Sequence, residues 1–172
     1  MNDISLAHVH LMLVHVPVIG IPIGLILLCY GLMKTSSQIR GIALALIAVT
    51  AVAAIPAYLT GESAEEVVEN RAGVSENTIE AHEEAAELTF VIVQILGAIS
   101  IISLIAGGRL VPLKQWTDRS VLLFAIIASL LLVRTANLGG RIGHPEVFGT
   151  TKAELGYSDD NESEKQDDEE NE

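Results

Sequence analysis

The sequence predicts an all-α fold, an integral membrane four-helix bundle with its N and C termini outside. Three observations carry that prediction. Half of the 172 residues are apolar, and they gather in four blocks at about 8–33, 41–60, 86–107 and 120–138. Each block is nearly free of charge and close to the roughly 20 residues that a helix needs to cross a bilayer. None carries the polar stripe of a helix packed on a water-soluble core. The length suits one transmembrane domain, residues 8–146, with helices at about 8–33, 41–60, 76–107 and 120–138. A short outer tail at 1–7 precedes it and a polar segment at 147–172 follows it.

The short loops orient the helices. The first carries Lys34 and Arg40, and the third carries Arg109, Lys114 and Arg119 against one acid, Asp118. The acidic loop at 61–78 and the helix start after it hold Glu62, Glu65, Glu66, Glu69, Glu76, Glu80, Glu83 and Glu84 against Arg71. Basic loops belong on the cytoplasmic side, which places the acidic loop and both termini outside. Arg134, Arg141 and Lys152 near the last span oppose this assignment without outweighing it.

The first helix has no formal charge between Asp3 and Lys34. No Lys or Arg precedes it and no small-x-small site follows it, so it is expected to be a retained span and not a cleaved signal. Pro17 and Pro22 each remove an amide donor and favour a kink. Gly20 and Gly24 form a small-xxx-small pair that admits a neighbouring helix closely. Cys29, the single cysteine, reads as packing.

The second helix offers Ala45, Ala48, Ala51 and Ala54 for close contact, and Pro56 bends its outer end. After it, Ser63-Ala-Glu-Glu66 has the form of a capping box. It predicts a short helix to about Arg71, stopped by Gly73, with Val67 and Val68 resting on the membrane surface.

In the third helix Thr78, His82, Ala86, Thr89, Val93, Leu96 and Ser100 recur every three or four residues. This small and polar stripe is expected to face the other helices and to point His82 into the bundle. The fourth helix carries Arg134 within its apolar run. An arginine costs about 2.5–3.5 kcal/mol at a helix centre on insertion scales and normally has an anionic partner. If the helix continued, Arg134, Asn137, Arg141 and His144 would share one face, but Gly139-Gly140 and Pro145 leave that open. Residues 159–172 hold nine acids and one lysine and are expected to stay solvated and disordered.

All five histidines, His8, His10, His15, His82 and His144, fall on the outer side. Imidazoles from facing helices suit a haem iron or a metal ion. His10 and His15 differ by five residues, about 140° around a helix, so they do not share one ion easily. The natural axial pair is His15 with His82, leaving His10 and His144 for a second pair or nearby roles. Arg134 and Arg141 suit haem propionates, because guanidinium pairs with carboxylate. A lone interfacial histidine is usually only a tolerated polar residue, and the one-sided set of five is what lifts these above that reading. No CxxCH, CxxC or HExxH occurs, which excludes covalent haem attachment and zincin chemistry. A net charge of -12 disfavours nucleic acid.

At His10-Leu-Met-Leu-Val-His15-Val-Pro17 the sequence resembles a prokaryotic family of small four-helix membrane proteins classed as a domain of unknown function. Its first helix reads like HPxLVHFP; here Leu11 replaces the first proline and Val16 the phenylalanine. The resemblance continues at Ile79-Glu-Ala-His82 and at Leu138-Gly139-Gly140-Arg-Ile-Gly-His144, and covers about residues 8–146. Members look redox-associated and are sometimes joined to Rieske or cytochrome modules. The resemblance therefore implies haem or electron transfer, carried here by His10, His15, His82 and His144.

The leading expectation is a haem b-binding electron-transfer subunit in the bacterial inner membrane, multi-pass, with its site at the outer, periplasmic face. Its expected partners are membrane lipid, a basic soluble electron carrier drawn to the acidic outer surface, and a larger redox complex. An electron-transfer or binding subunit fits better than a free-standing enzyme, and no residue stands out as catalytic. One alternative is a divalent metal-binding membrane protein using His10, His15, His82 and His144 with Glu62 or Glu83. The other is a cofactor-free assembly subunit of a larger membrane complex.

Overall fold

Every apolar block becomes a helix. The computed structural model describes residues 6–69, 74–106 and 111–144. In chain order these form α1 (Leu6–Met33), α2 (Ser37–Leu59), α3 (Gly61–Val68), α4 (Glu76–Ala106) and α5 (Val111–Gly143). The expected acidic tail at 147–172, with Arg71, Gly73, Arg109 and Pro145, lies outside the described residues.

Four helices, Leu6–Met33, Ser37–Leu59, Glu76–Ile105 and Trp116–Gly143, are long and apolar enough to cross a membrane. Their most apolar windows bury only 22–39% of their residues against the rest of the chain. Ile26, Val49, Leu130 and Val133 are each exposed by about two thirds. An apolar surface of that extent needs hydrocarbon and not water as its solvent. The chain is a multi-pass membrane protein.

The long helices close into a ring in which α1 packs on α2, α2 on α4, α4 on α5, and α5 back on α1. Two diagonals remain, α1 with α4 and α2 with α5. The core on the ring's axis is Ile21 and Leu28 of α1, Leu44 and Ile47 of α2, Val93 and Leu96 of α4, and Val121, Ala125 and Ala128 of α5. All of these are at most 1% exposed. The stripe expected on α4 faces inward, with Thr89, Val93, Leu96 and Ser100 buried.

Close approach decides the α1–α2 pair. A Cβ added at Gly24 would lie 2.5 Å from the Ile47 side chain, so only glycine admits α2 there. Pro17 and Pro22 lie inside α1 without ending it. A Schellman turn closes α1: Ser36 N–H donates to Gly31 O at 2.9 Å and Thr35 N–H to Leu32 O at 3.2 Å. Thr35 takes the left-handed position at φ 50°, and Ser36 then caps α2 through Ile39 N–H.

Several boundaries differ from the sequence reading, the first being α2, which starts at Ser37 and not near 41. Helix α3 begins at Gly61, so Ser63 is its third residue and not its cap, and the cap residue Thr60 makes no side-chain cap bond. Thr60 instead donates its hydroxyl to Pro56 O and Ala57 O at the end of α2. Helix α5 starts at Val111 and not near 120, because the polar turn at Thr117 and Asp118 is buried against other helices. It also continues through Gly139-Gly140 to Gly143, five residues past the expected end at 138.

Candidate functional site

One end of the bundle gathers histidines. The last four carbonyls of a helix have no intrahelical amide to accept from. Ala57 is third from the end of α2, and its carbonyl lies 2.8 Å from His10 Nδ1 on α1. A carbonyl only accepts, so Nδ1 carries the proton and donates it. Thr60 Oγ1 stands 3.4 Å from the same nitrogen, a longer and weaker contact.

His82, in the second turn of α4, makes the matching bond to its ring neighbour α5. Its Nδ1 donates to Thr135 O of α5 at 3.1 Å. Gly139 is the next residue on that face of α5, and a Cβ there would sit 3.1 Å from His82 Cε1. The glycine that reads as a helix breaker is therefore where the imidazole lies against α5. Thr135 is held in turn by α4: its hydroxyl donates to Ala85 O at 3.2 Å and lies 2.9 Å from Thr89 Oγ1. The anchor of His82 is thus itself anchored.

The two imidazoles lie at the same end of the bundle. His10 is 23 residues before Met33, the end of α1, and His82 is 24 before Ala106, the end of α4, so each stands about 35 Å from the other end of its helix. With the proton fixed on Nδ1, each neutral ring keeps a lone pair on Nε2, and neither Nε2 is hydrogen-bonded among the described residues. A backbone carbonyl that holds one ring nitrogen and leaves the other to bind is the usual support of a metal-ligating histidine.

The other candidates point away. His15 is exposed, with Nδ1 bonded one turn back to Leu11 O at 2.6 Å. The inward histidine of α1 is therefore His10, where spacing alone favours His15. His8 is also exposed. Arg134, Asn137, Arg141 and His144 do follow one another along the continuous α5, and all four are exposed. Among the described residues no three of His, Cys, Asp or Glu are grouped to hold a metal ion.

Helix α3 lines this end with acids. The Glu65 carboxyl is pushed above the ordinary glutamate range by partial burial and by the neighbouring charges of Glu83, Glu69 and Glu62. Beside it, Tyr58 of α2 stacks on Phe90 of α4 with ring centres 4.3 Å apart.

The opposite end holds a site that loop charges do not reveal. Arg40 of α2 and Asp118 of α5 are 7% and 8% exposed. Arg40 Nη1 donates to both carboxylate oxygens, at 2.7 and 3.0 Å, across the second diagonal. Ser103 of α4 donates to Asp118 Oδ1 at 3.4 Å, and Thr117 donates to Ser103 at 3.2 Å. Arg40 Nε is sealed from solvent with no acceptor among the described residues. The signal in the sequence is that Asp118 is the one acid in a basic loop; charge counting for orientation passes over it.

Between the two ends the axis is filled by apolar side chains. From Thr89 to Ser100 on α4 is 11 residues, about 16 Å, and the layer between is Val93 and Leu96 against Ile21, Leu44 and Ile47. No family model matches the chain, and no curated protein or solved structure matches it either.

Proposed function

We propose that this chain is a haem b-binding electron-transfer protein of the bacterial inner membrane, in which His10 and His82 would hold the haem through Nε2. The supporting observation is that two imidazoles at one end of the bundle, on helices α1 and α4, each tie Nδ1–H to a backbone carbonyl of a neighbouring helix, α2 and α5 respectively. Two protein ligands suffice for haem, which brings its own four equatorial nitrogens, whereas a zinc site takes three or four from the protein. The absence of a third grouped ligand among the described residues therefore weighs against the divalent-metal reading. The buried apolar layer of Val93, Leu96 and Ile47 likewise weighs against ion passage along the axis.

When bound, the haem supplies one-electron redox chemistry; the chain's residues hold and insulate it. Ala57 and Thr135 fix the tautomer and aim both rings, and Gly139 leaves room for His82. Arg134 and Arg141, the expected propionate partners, are exposed on α5. The orientation expected from the loop charges supports taking this end as the outer one, where Glu62, Glu65, Glu66 and Glu69 would favour encounter with a basic soluble carrier.

The test is a reduced-minus-oxidised visible spectrum of the full chain, expressed with ample haem and purified in mild detergent. A haem b α-band that His10→Ala and His82→Ala each abolish, and His15→Ala keeps, supports the reading. A featureless spectrum, or full retention in both inward variants, overturns it. The second reading is a cofactor-free assembly subunit, favoured by the fact that His10 ties α1 to the Ala57 carbonyl near the end of α2. In that case the two histidines are helix ties alone, and the spectrum is blank.

A further inference from the structure

At the end opposite the histidines, a depression of about 260 Å³ opens between α1 and α5, lined by Leu32, Asp118, Arg119 and Leu122. Its chemistry is divided. Leu32 and Leu122 form apolar walls, and Arg119 is exposed. Lys34, two residues beyond Leu32, is also exposed. Asp118 would repel an anion, but Arg40 holds both its oxygens and neutralises it. The local balance is then positive, from Arg119 and Lys34.

Its level in the membrane is marked by Trp116, 71% exposed and two residues before Asp118, and by Tyr30 on α1, 48% exposed. Tryptophan and tyrosine collect where headgroups meet acyl chains. Away from the depression the same two helices turn Ile23 and Ile26, and Leu123 and Ile126, outward. A ligand seated here has its charged part beside Arg119 and its apolar part along α1 and α5.

We infer that this depression binds the headgroup of an anionic phospholipid, its phosphate taken by Arg119 with Lys34 and its glycerol and acyl region laid against Leu32 and Leu122. Guanidinium suits a phosphodiester because its planar fork donates two parallel hydrogen bonds. A free phosphate would meet the same arginine but leave both leucine walls unused. The inference is independent of the haem reading, since it concerns the other end of the bundle.

The experiment uses the full chain in maltoside micelles, titrated with phosphatidylglycerol and followed by native mass spectrometry of retained lipid. Phosphatidylcholine and inorganic phosphate serve as separate probes. Phosphatidylglycerol is expected to remain as a single-lipid adduct, with phosphatidylcholine bound more weakly. Arg119→Gln should weaken that adduct about tenfold, the size of one charged hydrogen bond lost. Arg134→Gln, at the far end of α5, should leave it unchanged. Equal retention of the two lipids, or equal binding by wild type and Arg119→Gln, overturns the proposal. So does an equal loss in Arg134→Gln, which would mark diffuse charge attraction. Displacement of the lipid by millimolar inorganic phosphate would overturn the lipid in favour of a free anion.

Discussion

Arg40 and Asp118 meet across the diagonal of the bundle, Nη1 to carboxylate at 2.7 and 3.0 Å, with both side chains about nine-tenths buried. The pair clamps α2 to α5, two helices that otherwise scarcely touch. Desolvation offsets much of the attraction of such a pair, so its presence alone says little about net stability. Breaking it is another matter. Arg40→Leu or Asp118→Leu alone should cost about 3–5 kcal/mol by stranding the other charge, whereas the double apolar replacement should recover most of that. Unfolding of each variant in mixed micelles measures this. If the two single losses simply add in the double variant, the pair is not coupled as the geometry requires.

Gly139 is the second close approach with a direct consequence. Its absent Cβ would lie 3.1 Å from His82 Cε1, tighter than most real contacts. Gly139→Ala should therefore push the imidazole off Thr135 O and destabilise by about 1–3 kcal/mol, against the gain alanine usually brings inside a helix. Gly143→Ala, where nothing lies within 4 Å, should follow the ordinary helix preference and be neutral or stabilising. Thermal midpoints of the two variants, compared side by side, separate the effects.

His10 and His15 lie on one helix and differ in every respect that bears on stability. His10 satisfies Ala57 O on α2, whereas His15 bonds only to its own helix. Removing the first takes away the shorter of the two side-chain hydrogen bonds to Ala57 O and leaves the Thr60 hydroxyl at 3.1 Å, which costs about 0.5–1.5 kcal/mol. His10→Ala should lower the thermal midpoint clearly, and His15→Ala should stay within about 0.5 kcal/mol of wild type. An equal effect of the two would contradict the inward placement of His10.

Glu65 sets a pH dependence at the histidine end. Its pKa in the folded protein stands above the ordinary glutamate value of 4.5, through partial burial and then Glu83, Glu69 and Glu62. The folded state therefore takes up the proton first. The stabilisation this brings is fully present below the unfolded value and is lost as pH rises through the folded one. At neutral pH Glu65→Gln should be more stable than wild type, and the difference should vanish as pH falls below about 4.5. A difference that instead grows on acidification would reverse the sign of the interaction.

Much of this architecture was legible in the chain. Four charge-free blocks and the inward stripe of α4 follow from period and length, because a bilayer forces nearly every residue of a span to be apolar and every backbone bond to be made within the helix. The pairing of small residues was legible too: Gly20 and Gly24 meet Thr50 and Ile47 of α2. The histidine set was visible as a set, but not its division into inward and outward members.

What the sequence determined by itself is the class of molecule: its helices, the surfaces they turn to lipid and the end where histidines collect. Those depend on local composition, which a reader of the chain holds in full. Tertiary structure decided the partners. That His10 faces inward and His15 does not depends on the azimuth of α1 against α2, set by packing at Gly24 and Pro17, which no local period encodes. That Arg40 finds Asp118, 78 residues away, depends on which helices stand diagonal in the ring. A charge near a helix end looks the same in sequence whether it marks orientation or closes a buried pair, and only the fold brings the opposite charge within reach.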